Sequence, residues 1–334
     1  ENTLVLEGAT TFNQVRVAAP GATVPPEEIT RVKGLGFLRD KNTPDCFNGR
    51  VITRNGKLTA EELSAVTEAA EKFGNGQVAM TTRLTLEIQH IPFDNIEPLR
   101  EFLAQRGLET GGTGSKVRPV VSCKGTTCQY GLIDTFALSE EIHERFYPGY
   151  HEVKLPHKFK IAVGGCPNNC VKPDLNDLGI IGQKVPLINL DKCRGCKVCQ
   201  VVNACPIQVP VVQDGKVIID DNACNHCGRC VGKCPFGALE GSTSGYRVYI
   251  GGRWGKKVAR GRYLEKVFTD KDEVLSVIEK AILLFREQGR TGERFADTVD
   301  RLGFENVQEQ LLSDELLQRK EDNLKLDVKG GATC

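Results

Sequence analysis

The residues with the clearest chemical potential are cysteines, of which the 334-residue chain contains fourteen. Two near-copies of one pattern lie between residues 193 and 235, and the second copy reads C-x2-C-x2-C-x3-C-P. The first copy differs only in having five residues, rather than three, before its last cysteine. Thiolates at these spacings bind iron–sulfur cubes, so the chain is predicted to carry electrons.

In the two-cube arrangement each triplet of cysteines holds one cube, and the fourth cysteine reaches across to the other cube. The predicted ligands of cube one are Cys193, Cys196, Cys199 and Cys234. The predicted ligands of cube two are Cys205, Cys224, Cys227 and Cys230. A pair of zinc knuckles is the alternative, but three cysteines and a Cys-Pro per copy overfill a four-coordinate zinc site. Residues from about 186 to 240 therefore resemble bacterial ferredoxins.

A third group of thiols lies in the stretches "SCKGTTCQYG" and "GGCPNNC". It comprises Cys123, Cys128, Cys166 and Cys170, the complement of a third cube. Because Pro167 suits the first position of a helix, Cys166 and Cys170 are predicted to share a helix face near its positive N-terminal end. The two remaining cysteines, Cys46 and Cys334, have no such pairing and are predicted to be inert thiols.

Four cations accompany the third group. Lys158 and Lys160 alternate with apolar residues in "KFKIAV", a predicted strand, and Arg83 lies on the polar side of a second predicted strand over residues 81–91. Arg118 comes five residues before Cys123. Most such side chains belong to solvated faces. Taken together, however, these four predict a pocket for a small, highly charged anion.

At these residues the sequence resembles the siroheme-dependent sulfite and nitrite reductases, in particular the catalytic C subunit of anaerobic sulfite reductase. The matching motifs are "TTR", an arginine before a cysteine pair, "LPxKFK" and "GGCPNNC", within residues from about 34 to 255. The resemblance implies that the third group binds a four-iron cube and that Cys170 also bridges to the siroheme iron. It further implies that the four cations surround the distal face, where sulfite binds.

The same resemblance implies a six-electron reduction of sulfite to sulfide, with siroheme and three cubes as cofactors. Siroheme carboxylates need basic partners, for which the candidates are Arg83, Arg118, His157 and Arg253. His157 stands where other members have arginine. Since the chain has no G-x-G-x-x-G opening a helix and no flavin motif, electrons are expected from a partner flavin or iron–sulfur subunit.

Two other functions fit part of the pattern. Nitrite is a small anion that would meet the same cations, so reduction of nitrite to ammonia stays open. A non-catalytic electron-transfer subunit would use the cubes, but it would gain nothing from the four cations. An oligomer, of like or unlike chains, is also open.

Composition restricts the setting. Lys plus Arg is 44 against Asp plus Glu 43, a formal charge of +1, so no global basic field favours nucleic acid. No apolar run approaches the roughly 18 residues of a membrane span, and no signal peptide is apparent at the start. Reduced thiols and the absence of an export signal predict a cytoplasmic protein.

The elements that position these residues follow from local patterns. A capping box at Thr59 predicts a helix ending at Gly74, and further helices are predicted over 95–106 and 270–289. The predicted fold is α+β: a ferredoxin-like domain over 1–112, then a siroheme-binding half-domain over 113–185 and 244–290. The ferredoxin segment, 186–243, is inserted into that half-domain. A helical tail, 291–334, follows, and its charged last residues are predicted to be mobile unless a partner holds them.

Overall fold

A computed structural model describes residues 24–331 and divides the chain into two units. The first unit contains the residues up to Val51, together with Thr59–Met80 and Leu86–Gly111. The second contains Ile52–Leu58, Thr81–Thr85 and the chain from Gly112 onward. Cys334 lies outside the described residues.

The first unit is an antiparallel sheet with helices. Its elements are α1 (Pro26–Gly34), β1 (Phe37–Arg39), β2 (Cys46–Val51), α2 (Ala60–Phe73), β3 (Val78–Met80), β4 (Leu86–Pro92) and α3 (Ile96–Ala104). The strand order is β1-β2-β4-β3, with all pairs antiparallel. Cys46, at the start of β2, is buried, as an inert core thiol would be.

Helix α2 begins as its capping box predicts. The Thr59 side chain accepts a hydrogen bond from the backbone of Glu62, whose carboxylate accepts one from the backbone of Thr59. The helix ends before Gly74, and its buried face includes Val66 and Phe73. Leu63 is exposed, although its spacing of three residues from Val66 would place it on the same helix face.

The predicted strand over residues 81–91 is wrong in its first half. Strand β4 begins at Leu86, and the residues before it form a turn in which Leu84 has a φ of 60°. The hydroxyl of Thr53 donates a hydrogen bond to the carbonyl of Leu84 and stabilises this turn. Arg83 therefore does not lie on a strand face but on a turn.

The second unit is built on a five-stranded mixed sheet of order β11-β10-β7-β6-β5. Its elements up to the inserted segment are β5 (Val121–Ser122), α4 (Thr135–Phe146), β6 (Ile161–Gly164) and β7 (Leu178–Leu187). The inserted segment contributes α5 (Gln200–Ala204), β8 (Val211–Gln213) and β9 (Lys216–Ile218). After it come β10 (Gly241–Ile250), β11 (Arg262–Phe268), α6 (Lys271–Gln288), α7 (Phe295–Leu302), α8 (Phe304–Leu312), α9 (Glu315–Gln318) and α10 (Lys320–Lys325).

The centre of this sheet is parallel and buried. Strands β5, β6 and β7 run in one direction, and all four residues of β6 and the first six of β7 are buried, as is typical of parallel strands covered on both faces. Phe159 anchors the chain just before β6. Its ring lies 5.2 Å from that of Phe295 and 6.0 Å from that of Phe285, centroid to centroid. Helices α6 and α7 are thereby fixed beside the start of β6.

Helix α6 has the bounds that the sequence predicts, with the Asp270 side chain capping its N-terminus and Gly289 following its last residue. The helices after α6 are not a mobile tail. Phe304, Val307 and Leu311 are buried in the same core as α6. In the described part of the chain, no helix combines the length and the apolarity that crossing a membrane requires.

A buried arginine ties the end of the chain to α6. The Arg286 guanidinium donates hydrogen bonds to the backbone carbonyls of Asn323, Leu324, Leu326 and Lys154. The prediction of mobile last residues is therefore wrong for residues 323–326, because sequence composition does not reveal a cation that binds several backbone carbonyls at once.

We expect Arg286→Met to lower the free energy of unfolding by about 3 kcal/mol, because it leaves several buried carbonyls without a charged donor. Residues 318–331 should also become susceptible to limited proteolysis. Arg145→Met is the control, since Arg145 is half exposed and its ion pair with Glu141 is of the surface type, which predicts a change within about 0.5 kcal/mol. Equal unfolding curves for the two variants would contradict this role of Arg286.

Candidate active site

The third cysteine group lies at the carboxyl ends of β5 and β6. Cys123 directly follows β5, and its backbone N–H bonds the carbonyl of Val163 in β6. The backbone N–H of Gly165 donates to Cys123 Sγ over 3.1 Å. Burial raises the pKa of the Cys166 thiol; a backbone hydrogen bond from Asn168 opposes that rise, and the charges of Cys123, Cys170 and Cys128 add to it.

Two glycines allow these loops to meet. A Cβ on Gly165 would lie 2.8 Å from the Cα of Gly125, and one on Gly125 would lie 2.9 Å from the Cα of Gly165. Real Cβ atoms do not come so close to a neighbouring backbone, so any larger residue would push the two cysteine loops apart. The turn that the sequence indicates at Gly164-Gly165 therefore brings the cysteine pairs together.

The predicted helix after Cys166 is wrong. Residues 165–172 form turns, in which Asn169 has a φ of 57° and Lys172 a φ of 52°. Residues with left-handed backbone angles cannot continue a right-handed helix, so no helix forms here. Cys166 and Cys170 consequently do not share a helix face, and Cys170 is exposed whereas the other three cysteines of the group are half-buried.

In the inserted segment, the four cysteines predicted for cube two lie near one another. Cys205, Cys224, Cys227 and Cys230 line one small pocket. Burial raises the pKa of Cys230 to about 11, and the neighbouring thiols add to that rise. The small core of the segment includes Cys230 itself, and Cys193, Cys199 and Cys234 of the set predicted for cube one pack against that core. Backbone N–H groups, foremost that of Gly195, lower the pKa of Cys193.

These donor sets fit four-iron cubes. The thiols converge, and backbone N–H groups donate to the sulfurs of Cys123, Cys193 and Cys224, a feature that tunes iron–sulfur clusters. Among residues 24–331, no three His, Cys, Asp or Glu side chains are close enough to hold a single metal ion. The ligands of an iron–sulfur cube need not meet at one point, because each cysteine binds a different iron atom of the cube.

The predicted cations gather at the other end of the same strands. Arg118 precedes β5 and its backbone N–H bonds the carbonyl of Phe159, so it lies beside Lys160 at the start of β6. Lys158 and Lys160 are half-buried on either side of the fully buried Phe159, as their alternation predicts. The predicted strand over "KFKIAV" is shorter than expected, since β6 begins only at Ile161.

A buried carboxylate organises this end of the sheet. Asp177, directly before β7, is fully buried, and both of its oxygens accept hydrogen bonds of 2.9 Å from the Arg294 guanidinium. One of them also accepts the backbone N–H of Lys160, over 2.9 Å. Burial raises the pKa of Asp177, and the charge of Arg294 opposes that rise.

Arg83 reaches the same end from its turn. Its guanidinium donates to the side chain of Asn176 over 2.9 Å and to the carbonyls of Pro119 and Ile161 over 2.6 and 3.2 Å. Burial lowers its pKa to about 10, and the charge of Arg118 contributes. Among the described residues, the buried Nε atoms of Arg83 and Arg294 have no hydrogen-bond partner.

Several positively charged side chains lie close together at this end, and burial and their charges lower the pKa values of Lys160 and His157. Burial, together with the charges of Arg83 and Arg294, lowers the pKa of Lys160 to about 8. Burial, followed by the charges of Arg294 and Lys158, lowers the pKa of His157 to about 4. His157 Nδ1 accepts the backbone N–H of Lys158 over 2.7 Å, so its proton belongs on Nε2 and the imidazole is a neutral donor.

Arg253, the remaining candidate for a siroheme carboxylate, is engaged in another contact. Its guanidinium pairs with Asp297 over 2.6 Å and is mostly buried. The following Lys256 and Lys257 are exposed. Gly252, next to Arg253, packs against the backbone of Asn176, so this loop also borders the cationic end.

The structure therefore places the predicted site residues in two groups at opposite ends of β5, β6 and β7. Arg118 precedes Cys123 by five residues and Lys160 precedes Cys166 by six, which corresponds to about 16–20 Å of extended chain. A thiolate and an anion on one haem iron would be only a few ångströms apart. Within one chain the two groups do not converge.

Sequence reasoning missed Asp177 and Arg294. Asp177 could have been found, because it directly precedes an apolar strand, and residues that precede neighbouring parallel strands meet at one edge of the sheet. Arg294 is 117 residues away from its partner and lies in no motif. Nothing local in the sequence signals it.

Comparison with known proteins agrees with this architecture. Residues 113–320 match the family described as nitrite and sulphite reductase 4Fe-4S domain, and residues 39–106 match the nitrite/sulfite reductase ferredoxin-like half domain. The chain is similar in fold to the crystal structure of dissimilatory sulfite reductase I, with a TM-score of 0.64, 24% identity, and coverage of 80% of this chain and 69% of that one.

Two relatives in sequence are sulfite reductases. Coenzyme F420-dependent sulfite reductase of Methanocaldococcus jannaschii is 31% identical over 82% of this chain, which spans only 42% of that protein. The C subunit of anaerobic sulfite reductase from Salmonella typhimurium is 32% identical over 67% of this chain and 69% of its own length. The predicted fold, which mixes helices with sheets, and the predicted family are confirmed, and the chain belongs to the nitrite and sulphite reductase family.

Proposed function

We propose that this chain is the siroheme-carrying, catalytic part of a sulfite reductase that reduces sulfite to sulfide with six electrons. The observation that carries the proposal is the cationic group around Asp177, which an electron carrier would not need. The charges of Arg83, Lys160 and Arg294 act on one buried carboxylate, and the charge of Arg118 acts on Arg83, so positive charge is in excess there. Small oxyanions are the ligands that such a group favours.

The thiols fit the cofactors that the proposal requires. Siroheme joined to a cube through a shared thiolate would supply an iron that binds sulfite and delivers electrons to it. Cys170 is the residue for that bridge, because it is exposed while the other cysteines of its group are half-buried. The cube would be held by Cys123, Cys128, Cys166 and Cys170, and two further cubes by the inserted segment.

The cations have distinct tasks in this proposal. Arg83 is held rigidly by carbonyl and amide oxygens and presents fixed positive charge. Lys160, with a pKa of about 8, can both bind an anion as an ammonium and release a proton near neutral pH. Lys158 adds point charge, and neutral His157 offers its Nε2 proton to a siroheme carboxylate or to substrate.

Because cations and thiolates lie at opposite ends of the strands, a complete centre requires two chains. In the proposed arrangement the thiolates of one copy and the cations of a second copy meet at one siroheme, and the two-fold symmetry creates two such centres. A partner of the same fold would serve equally. Electrons would come from a separate flavin or iron–sulfur subunit.

Reduction of nitrite to ammonia on the same residues is the second candidate, since the matching family includes nitrite reductases. Measuring turnover with each anion on the same preparation decides between them. A pure electron-transfer role is the third, and the cofactor content tests it.

We expect the anaerobically purified protein to contain about thirteen iron atoms per chain, from three cubes and one siroheme. Iron analysis and the visible spectrum together provide the measurement. About eight iron atoms without haem-like absorption would instead identify an electron carrier, and stoichiometric zinc would exclude both functions.

Lys160 should govern the alkaline limb of the pH profile. Its ammonium is present below its pKa of about 8 and is lost above it, so sulfite binding should weaken as the pH rises through that value. Lys160→Arg stays protonated and should remove this limb, whereas Lys160→Met should reduce turnover about 10²–10³-fold at neutral pH with siroheme bands intact. Protonation of sulfite itself affects wild type, Lys160→Arg and Lys160→Met equally, so differences between their pH profiles report on residue 160. Identical pH profiles for wild type and Lys160→Arg would refute the assignment.

Complementation tests whether two chains build each centre. Lys160→Met and Cys170→Ser chains should each be inactive alone, the second with shifted or absent haem-like bands. When the two are mixed under conditions that exchange subunits, about a quarter of the centres regain an intact set of residues, because half of the dimers are mixed and one site in each is complete. No recovery in a mixture shown to exchange would mean that each chain builds its own centre.

A further inference from the structure

The two cubes of the inserted segment have different surroundings. Between Cys224 and Cys227 lies His226, which is 1% exposed. In the first triplet, Val198, between Cys196 and Cys199, is 69% exposed. Gly195, the residue of the first triplet that is equivalent to His226, is only half-buried, so the loop between the first two cysteines is better covered by protein at cube two than at cube one.

His226 connects the loop of cube two to the main sheet. Its Nδ1 lies 2.9 Å from a guanidinium nitrogen of Arg247 in β10, and its Nε2 lies 2.7 Å from a carboxylate oxygen of Asp221. Since a guanidinium only donates, Nδ1 accepts and Nε2 carries the proton. The Arg247 guanidinium is buried and also lies over the ring of Tyr263 in β11, at 4.3 Å. This set of side chains clamps the cube-two loop to two strands.

The backbone of the same residue completes the connection. The His226 carbonyl accepts the N–H of Lys184 in β7 over 2.8 Å, and its own N–H donates to Cys224 Sγ over 3.4 Å. His226 adopts a left-handed φ of 53°. The equivalent position in the first triplet is Gly195, with a φ of 61°. A histidine where glycine would be unstrained indicates that its side chain contributes something that outweighs the strain.

Strand β7 leads from this loop towards the third cysteine group. Lys184 forms a bridge with Cys227, and a Cβ on Gly228 would lie 2.6 Å from the Lys184 side chain. Two residues earlier in β7, a Cβ on Gly182 would lie 2.5 Å from the carbonyl oxygen of Gly165, the residue before Cys166. Along the strand, the contact points of the two cysteine loops are thus separated by about 7 Å.

The cube-one loop is held by hydrogen bonds from within the inserted segment. Cys193 Sγ accepts the N–H of Val217 in β9, and the ammonium of Lys216 donates to the carbonyls of Leu190 and Cys193. Lys197 and Val198 are exposed. In the corresponding loop of cube two, Arg229 is exposed but Gly228 packs against the Lys184 side chain, so cube one is the more open of the two to a protein donor.

From these contacts we infer a fixed order of electron transfer, in which cube one receives electrons, cube two passes them on, and the cube of the third cysteine group accepts them. His226 is the positioning residue that holds cube two against β7. Each step moves one electron, so one cube is oxidised as the next is reduced, and no bond forms or breaks. The inference rests on the proposed cofactor content, and the first electron comes from a one-electron protein donor.

Electron paramagnetic resonance of the fully reduced, cofactor-loaded protein tests the order without turnover. Cys227→Ala removes a cube-two ligand, and Cys196→Ala removes a cube-one ligand. We expect magnetic coupling to the third cube to disappear in Cys227→Ala and to persist in Cys196→Ala, because only cube two is its neighbour. The reverse result, or coupling retained in both variants with iron analysis showing loss of the intended cube, would overturn the order.

Variants that keep every cysteine test the positioning role. His226→Gly relieves the left-handed strain but deletes the clamp, whereas His226→Asn tolerates that φ and can still accept from Arg247 through its amide oxygen. We expect iron content to be unchanged in both. In His226→Gly, exchange of the Lys184 amide should be about tenfold faster or more, equivalent to ~1.4 kcal/mol, and the coupling of cube two to the third cube should weaken.

His226→Asn should restore both readouts towards wild type. Asp221→Asn should leave them nearly unchanged, since the Asp221 side chain is 80% exposed. Wild-type coupling in His226→Gly would overturn the positioning role. These measurements are separable from the reductase proposal, because a protein that holds three cubes but fails to reduce sulfite would still show the coupling pattern.

Discussion

The cationic end of the sheet depends on the buried ion pair between Asp177 and Arg294. Taking a carboxylate fully out of water is costly unless it is paired and hydrogen-bonded. Arg294 supplies two hydrogen bonds and the Lys160 backbone a third, so the cost is met only when α7, β6 and β7 occupy their observed positions. The same contacts hold Arg83 and Lys160 close to Arg294 despite their like charges, because the buried negative charge offsets part of the repulsion.

The direction of the parallel strands determines where the chemistry lies. Residues before neighbouring parallel strands meet at one edge, and residues after them meet at the opposite edge. Arg118, Lys160 and Asp177 precede β5, β6 and β7, whereas Cys123 and Cys166 follow β5 and β6. The short β5 and β6 thus separate the thiolates from the cations by the length of the strands. The distance is fixed by strand rise, and side-chain rotation alone cannot remove it.

Features of the fold and of the candidate site could be predicted when they depend on residues close together in the sequence. That Cys205 lies near Cys224, Cys227 and Cys230 was predictable, because cube ligands follow fixed spacings and the fourth cysteine is marked by a following proline. Capped helices such as α2 and α6 were predictable for the same reason. The pairing of Asp177 with Arg294 was not, since it joins residues 117 positions apart. The bonds of Arg286 to the last turns of the chain are a second long-range example.

Predictions of helices and strands from local sequence failed in two loops whose conformation is determined by contacts with the rest of the fold. Pro167 predicts a helix, yet left-handed Asn169 and Lys172 form turns instead, and these let the cysteines converge. Leu84 likewise breaks the alternation that predicts a strand, and the resulting turn directs Arg83 towards the carbonyls of Pro119 and Ile161. In each case strain of a residue or two is offset by contacts that only the folded chain provides.

In the proposed function, the two ends of the sheet also separate electron entry from anion binding. The inserted segment joins the sheet through β7 and β10, and its cube-two loop contacts β7 beyond the residues that pack on the thiolate loops. Electrons would therefore arrive at the thiolate end, away from the cations of the same chain. If those cations served the same chain's siroheme, they would have to cross the length of β6. A two-fold axis that sets the thiolate end of one copy against the cationic end of another removes this conflict, because a symmetric interface satisfies both copies at once. In such a pair, each chain would donate electrons to one centre and positive charge to the other.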